Sequence, residues 1–183
     1  MAERRDPESL AELVDRIVAS QAGIARPIVL IDGGSGSGKS TLAVPVAERL
    51  GAHLIRLDDL YPGWDGLEAA STVVTDSLLT DTPRWQRWDW KEDRPAGSVE
   101  VDPTLPLVIE GSGSLSRAAR HLATFGVWLE LAEPERHRRA IARDGDAYEP
   151  YWDRWAAQEA TFFARERPDL TADLVVDASR IPI

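Results

Sequence analysis

The chain of 183 residues contains no cysteine. That rules out disulfides and thiolate metal sites and removes any need for an oxidising compartment. It is also poor in positive charge, with 21 Lys and Arg against 31 Asp and Glu and a formal net charge of −10. A surface of that sign repels polyanions, so nucleic acid is not an expected partner. Long apolar runs are missing as well. The start, Met1-Ala2-Glu3-Arg4-Arg5-Asp6, is charged, and no stretch after it reads as a signal peptide or a membrane span. A cytoplasmic protein without membrane contact is the expectation, with self-association left open. No internal repeat, low-complexity tract or linker divides the sequence, and hydrophobic residues make up 43% of it, enough for one sizeable core. A single domain over residues 1–183 is expected. Tyrosine and phenylalanine are scarce, three each against seven tryptophans. Several indoles fall in the middle third, where substrate is expected to bind.

What is present is organised around Gly33-Gly34-Ser35-Gly36-Ser37-Gly38-Lys39-Ser40, which satisfies G-x-x-x-x-G-K-[ST] at every fixed position. The alternative is a flexible Gly/Ser turn with an exposed lysine, but an apolar run, Ile28 to Ile31, precedes it and a helix-prone stretch follows Thr41. In such a loop successive backbone N–H groups turn inward around an anion, and the next helix aims its positive end at the same place. Gly34, Ser35, Gly36, Ser37, Gly38, Lys39, Ser40 and Thr41 are therefore the expected nucleotide-binding segment. Lys39 would neutralise the β- and γ-phosphates of ATP, and Ser40 would be a ligand of Mg2+. No Asn-Lys-x-Asp segment for reading guanine occurs, which argues against a GTPase.

Along the rest of the chain, apolar strands alternate with amphipathic helices. This pattern predicts a parallel sheet with helices on both faces. An N-terminal helix within residues 1–25 is expected to be capped by Asp6, to start at Pro7 and to bury Leu10, Leu13, Val14, Ile17 and Val18. A helix from about Gly38 to Leu50 contains Pro45, expected to strain it, and is closed by Gly51. The run His53 to Leu57 ends in Asp58-Asp59, where residues past a strand's carboxyl end line the ligand crevice. Asp58 could hold Mg2+ or accept a proton from an attacking hydroxyl, unless the pair only caps the next turn. A helix is expected from Trp64 to about Leu79. Trp88-Asp89-Trp90 reads as a short strand with one indole buried and the other facing a cavity; Asp89 or Arg94 could bind polar substituents, or the indoles could simply fill a core. Glu110 ends the buried strand Leu107 to Ile109, where a carboxylate would reach the metal. A helix from Ser114 to His121 and a strand from Phe125 to Leu131 follow. Residues 134–149 form an arginine-rich region in which Arg139 and Arg143, four apart, would share a face and act on the transferred phosphoryl group, unless they form a solvated face with Glu133, Glu135 and Asp144. A long helix from Glu149 to Arg165 carries Trp152, Trp155, Ala156, Glu159 and Phe163 at core spacing.

From about Pro27 to Asp177 these landmarks resemble the uridine kinase family of P-loop phosphotransferases and the related nicotinamide riboside, pantothenate and phosphoribulo-kinases. The resemblance rests on the Gly-rich loop, on Leu57-Asp58-Asp59-Leu60-Tyr61, on Trp88-Asp89-Trp90 followed by Arg94 and by Ile109-Glu110-Gly111, and on Arg136 to Asp144. It implies a three-layer α/β/α fold with a mostly parallel five-stranded sheet, a small acceptor-site hairpin and an arginine-rich lid. It further implies that Asp58 is the catalytic base and that Tyr61, Trp64, Asp65, Trp88, Asp89 and Arg94 hold a small-molecule acceptor, Asp65 through ribose hydroxyls. Two departures bear on that acceptor. Glu92-Asp93 stands where uridine kinases carry a histidine, and Trp88 replaces a tyrosine and so lacks its phenol. The expectation is an ATP- and Mg2+-dependent kinase for the primary hydroxyl of a nucleoside or nucleoside-like compound. The alternatives are a kinase for another hydroxylated metabolite, such as pantothenate or a sugar derivative, and a regulatory nucleotide-binding protein with no acceptor.

Overall fold

The computed structural model of the chain describes residues 9–180. Five strands form an all-parallel sheet: β1 (Ile28–Gly33), β2 (His53–Arg56), β5 (Leu107–Glu110), β6 (Phe125–Glu130) and β7 (Leu174–Asp177), in the order β2-β5-β1-β6-β7. β3 (Arg84–Asp89) and β4 (Arg94–Glu100) make a separate antiparallel hairpin.

Alternation along each strand sorts the core into two layers. Val29, Ile31, Val108, Val127 and Val176 point to the side covered by α1 (Leu10–Ser20) and α2 (Lys39–Leu50). Leu30, Ile55, Ile109 and Val175 point to the other side, where they meet α3 (Leu67–Val73), α6 (Trp152–Glu166) and Trp85 of the hairpin. Helix α1 is short enough to be marginal alone. It is fixed by burying Leu13, Val14 and Ile17, each contributing about 1.5–3 kcal/mol. Its cap is Ser9, whose Oγ accepts the Glu12 N–H at 3.2 Å. The expected cap Asp6 and first residue Pro7 lie outside the described residues.

Several boundaries differ from those expected, each for a local reason. α2 passes through Pro45 and ends at Gly51, which takes the left-handed conformation at φ +60°. Trp64 lies not in a helix but in a 3-10 turn, Gly63–Asp65; α3 follows and widens into a π turn over Val74–Leu78. Ser116, not Ser114, opens α4 (Arg117–Leu122), because its hydroxyl accepts the Ala119 N–H at 3.1 Å. The hairpin strand ends at Asp89 and leaves Trp90 in the turn. Helix α5 (Glu133–Asp144) covers the expected lid, and Glu149–Tyr151 is a 3-10 turn before α6. Pro168–Thr171 forms the last short helix, α7.

The sheet order places the site. β5 lies between β1 and β2, with Glu110 opposite Ile31 on one side and Arg56 on the other. The carboxyl ends of three neighbouring strands thus bring together the glycine-rich loop, Glu110 and the Asp58 turn.

Candidate active site

The loop after β1 needs backbone freedom at two points, Gly36 at φ +82° and Gly38 at φ +95°. The Lys39 ammonium folds back over it, donating to the carbonyls of Gly33 at 2.8 Å and Gly34 at 3.2 Å. Ser40 donates its hydroxyl to Glu110 Oε1 at 2.8 Å. The two groups were expected to serve one metal, and they are 70 positions apart in the chain. Two adjacent oxygen donors suit a hard cation such as Mg2+, which is ordinarily held by one or two protein oxygens together with phosphates and water. Among the described residues no cluster of three or more His, Cys, Asp or Glu forms a closed metal cage. Thr41 is exposed on the first turn of α2.

Burial raises the pKa of Glu110, the Asp58 charge raises it further, and Lys39 opposes both. Asp32 was not singled out in the sequence, yet it ties the loop to its neighbour. Fully buried, it accepts the N–H groups of Gly33 at 2.6 Å and Leu115 at 2.8 Å, and of Gly113 at 3.1 Å. Burial pushes its pKa from 3.8 up to about 7, against the pull of the Leu115 amide and Lys39. The folded protein therefore keeps a proton here that the unfolded chain releases. This stabilising contribution is complete below pH 3.8 and is lost as pH rises through about 7. Asp32→Asn should show a shallower loss of stability than wild type between these limits, read from urea midpoints at several pH values.

Asp58 is exposed in the 3-10 turn Leu57–Asp59 that follows β2, and its backbone carbonyl accepts the Trp90 indole N–H at 2.7 Å. The hairpin tip therefore clamps the Asp58 turn. The carboxylate is within electrostatic reach of Glu110, Arg143 and Tyr148, raising the pKa of each. Tyr61, expected at the acceptor, is instead 2% exposed and donates its hydroxyl to Ser112 O at 2.8 Å. It sits edge-on to Trp155, with ring centroids 4.6 Å apart. Its role is to brace the wall behind the loop.

The arginine that reaches the loop is Arg136. It lies in the arginine-rich stretch but outside the pair expected to act on the phosphoryl group. Its Nη1 donates to Ser35 O at 3.1 Å and to Glu159 Oε2 at 2.9 Å. Arg139 lies on the same face of α5, but its Nε donates to Glu135 at 2.8 Å and its Nη1 is buried without a partner. Arg143 pairs with Asp144 at the helix end. Each of the two expected arginines pairs with a carboxylate of α5, while Arg136 of the same helix touches the loop directly. α5 packs so closely that a Cβ on Gly36 would lie 2.1 Å from Arg136 O. Gly36→Ala should cost at least about 1–2 kcal/mol for the left-handed conformation alone, measurable by chemical denaturation.

On the acceptor side, Trp64 stacks on Tyr151 at 4.3 Å and 5° and on Tyr148 at 5.4 Å and 14°; Trp90 leans on it at 4.9 Å. The neighbouring Asp65 pairs through both oxygens with Arg154 of α6. Asp89 closes the hairpin turn by accepting the N–H groups of Lys91 and Glu92, both at 3.0 Å. Arg94 is exposed at the start of β4. Trp88 lines a groove of about 190 Å3 with Leu60, Pro62, Ala70, Val73 and Pro95, and its indole N–H is buried without a partner. So Asp58, Trp64, Trp90 and Tyr148 gather together, while Asp65 is paired with Arg154 of α6 and Asp89 closes its own turn.

Two residues, Ser112 and Asp32, were not anticipated at the site, and a third, Glu159, was expected only at core spacing. Ser112 belongs to a second Gly-Ser segment, Gly111–Ser114, right after β5, and its Oγ is 3.5 Å from Lys39 Nζ. Glu159, an acidic residue inside the apolar stripe of α6, reaches the loop through the Ser35 N–H, which spacing along the helix does not reveal. Asp32 could have been found as a carboxylate directly preceding the loop.

No protein-family model matches the chain. A curated bifunctional pantoate ligase/cytidylate kinase of Gloeobacter violaceus is 47% identical over 49 residues, and that match spans 27% of this chain but only about a tenth of the relative's length, 10%. Among solved structures, a possible uridine kinase from Bacillus stearothermophilus superposes with a TM-score of 0.62 at 21% identity, over 92% of this chain and 99% of the other. A provisionally named fructose transport system kinase from Silicibacter sp. TM1040 gives 0.58 at 20% identity, over 93% and 98%. Over nearly its whole length, with its five-stranded parallel sheet and separate hairpin, the chain has the same α/β fold as these solved structures.

Proposed function

We propose that the protein is an ATP- and Mg2+-dependent phosphotransferase acting on a primary hydroxyl of a nucleoside or nucleoside-like small molecule. The observation that carries this reading is the pair made by Ser40 and Glu110 at 2.8 Å beside Lys39, an arrangement suited to a metal-bound polyphosphate. Lys39 leaves the loop carbonyls to neutralise the β- and γ-phosphates, and the loop amides hold the chain of phosphates in line. Ser40 and Glu110 would hold Mg2+, which when bound would offset charge on the phosphates. Asp58, exposed after β2, orients the acceptor hydroxyl and takes up its proton. Trp64 and Trp90, in contact with each other, wall the acceptor side.

A second reading within the same chemistry is a kinase for another hydroxylated metabolite. It is favoured by the apolar groove at Trp88, lined also by Leu60, Pro62, Ala70, Val73 and Pro95, which suits a compound with an apolar part. Screening hydroxylated metabolites for stimulated ADP release decides between the two by the compound that responds. A protein that binds ATP but responds to no acceptor would contradict both and favour a regulatory nucleotide-binding role.

A further inference from the structure

Helix α6 turns an apolar face to the core, with Trp152, Trp155 and Phe162 buried, and Glu159 stands in that face at 1% exposure. A carboxylate so removed from water is strongly unfavourable unless its oxygens are paired. Here they are. Oε1 accepts the backbone N–H of Ser35 at 2.6 Å and the indole N–H of Trp155 at 2.9 Å, and lies 2.8 Å from Ser112 Oγ. Oε2 accepts Nη1 of Arg136 at 2.9 Å. One side chain thus touches the phosphate loop, the segment after β5, its own helix and the lid.

The arginine it holds is placed with purpose. The Arg136 guanidinium fills the space over Gly34, 2.2 Å from where a Cβ would stand, and also donates to Ser35 O. Lys39 Nζ reaches the Gly34 carbonyl at 3.2 Å. The two cations meet at one residue of the loop, and the lysine of such loops serves the β- and γ-phosphates. We infer that Glu159 is a positioning residue: it holds Arg136 over Gly34 and Ser35 so that the guanidinium is already aimed at the terminal phosphate of a nucleoside triphosphate. The inference rests on reading the loop as a nucleotide site. The energetic logic is preorganisation, since the cost of orienting the long arginine side chain is met in folding rather than in binding.

The test is a comparison of ATP and ADP affinities, measured by calorimetry on the full chain with Mg2+ present. Arg136→Ala should lower ATP affinity about tenfold or more, the effect of one charge-assisted hydrogen bond, and leave ADP affinity nearly unchanged. Glu159→Gln, nearly isosteric and still able to accept from Ser35, should reduce the ATP preference by a similar factor. The double variant should be no worse than Arg136→Ala, because both changes remove one interaction. A merely structural Glu159 predicts otherwise: a lower melting temperature, both nucleotides weakened alike, and losses that add in the double variant. Either an unchanged ATP-to-ADP ratio in Glu159→Gln or additive losses overturns the inference. If Glu159→Gln does not fold, Glu159→Asp serves, since it keeps the charge but is one methylene too short to span Ser35 and Arg136. Its ATP preference should then be intermediate, and a wild-type preference overturns the inference. A wild-type chain that binds neither nucleotide overturns the nucleotide-site reading itself, which is a distinguishable result.

Discussion

Lys39→Ala is expected to reduce phosphoryl transfer about a hundredfold to a thousandfold, the usual effect of removing one preorganised donor from developing charge. The Lys39 ammonium lies across the loop carbonyls of Gly33 and Gly34, with Ser112 Oγ 3.5 Å away. These are weak competitors for a cation compared with a triphosphate, so the side chain is held near its working position and gives up little when it turns to phosphate. The variant should fold normally, because Lys39 is the first residue of α2 and takes no part in the core. Calorimetric titration with ATP and steady-state ADP release check the two consequences. Wild-type turnover in Lys39→Ala would remove the loop from the chemistry.

Asp58→Asn is expected to have a different outcome, with ATP binding retained and transfer to the acceptor lost by about two to four orders of magnitude, the range for a general acid or base. The distinction follows from position. Asp58 lies beyond β2, separated from β1 by the whole of β5, and its backbone is tethered by Trp90 rather than by the loop. The asparagine keeps the shape of the turn and removes both the negative charge and the proton-accepting oxygen. The two variants together separate nucleotide binding from acceptor activation. ADP release with the acceptor found in the metabolite screen, measured beside ATP affinity, gives the result. A variant that turns over at the wild-type rate would exclude Asp58 as the base.

Some of the site was legible in the sequence because the information is local. The phosphate loop is contiguous, its glycines are needed where the backbone turns left-handed, and the strand before it and helix after it carry their own periodicities. Glu110 was legible for a related reason, since a carboxylate ending an apolar run in a parallel sheet has to emerge at the crevice. The arginine-rich stretch was legible as a charged helix but not in its phase. Which arginine touches the loop depends on how α5 rolls against it: Arg136 does so, while Arg139 and Arg143 pair with Glu135 and Asp144. The acceptor side was the least legible. Asp65 is engaged by Arg154, 89 positions away, and Tyr61 is drawn into the core by its bond to Ser112, 51 positions away.

The sequence by itself determined the alternation of strands and helices, the phosphate loop, and the carboxylates at the ends of β2 and β5, because each depends on neighbours within a few residues. Only the tertiary structure decided which charges face one another. Glu159 and Ser35 are 124 positions apart, and Arg136 comes between them from a third element. Pairings of this kind depend on distances in space and on the exclusion of water, neither of which spacing along a chain records.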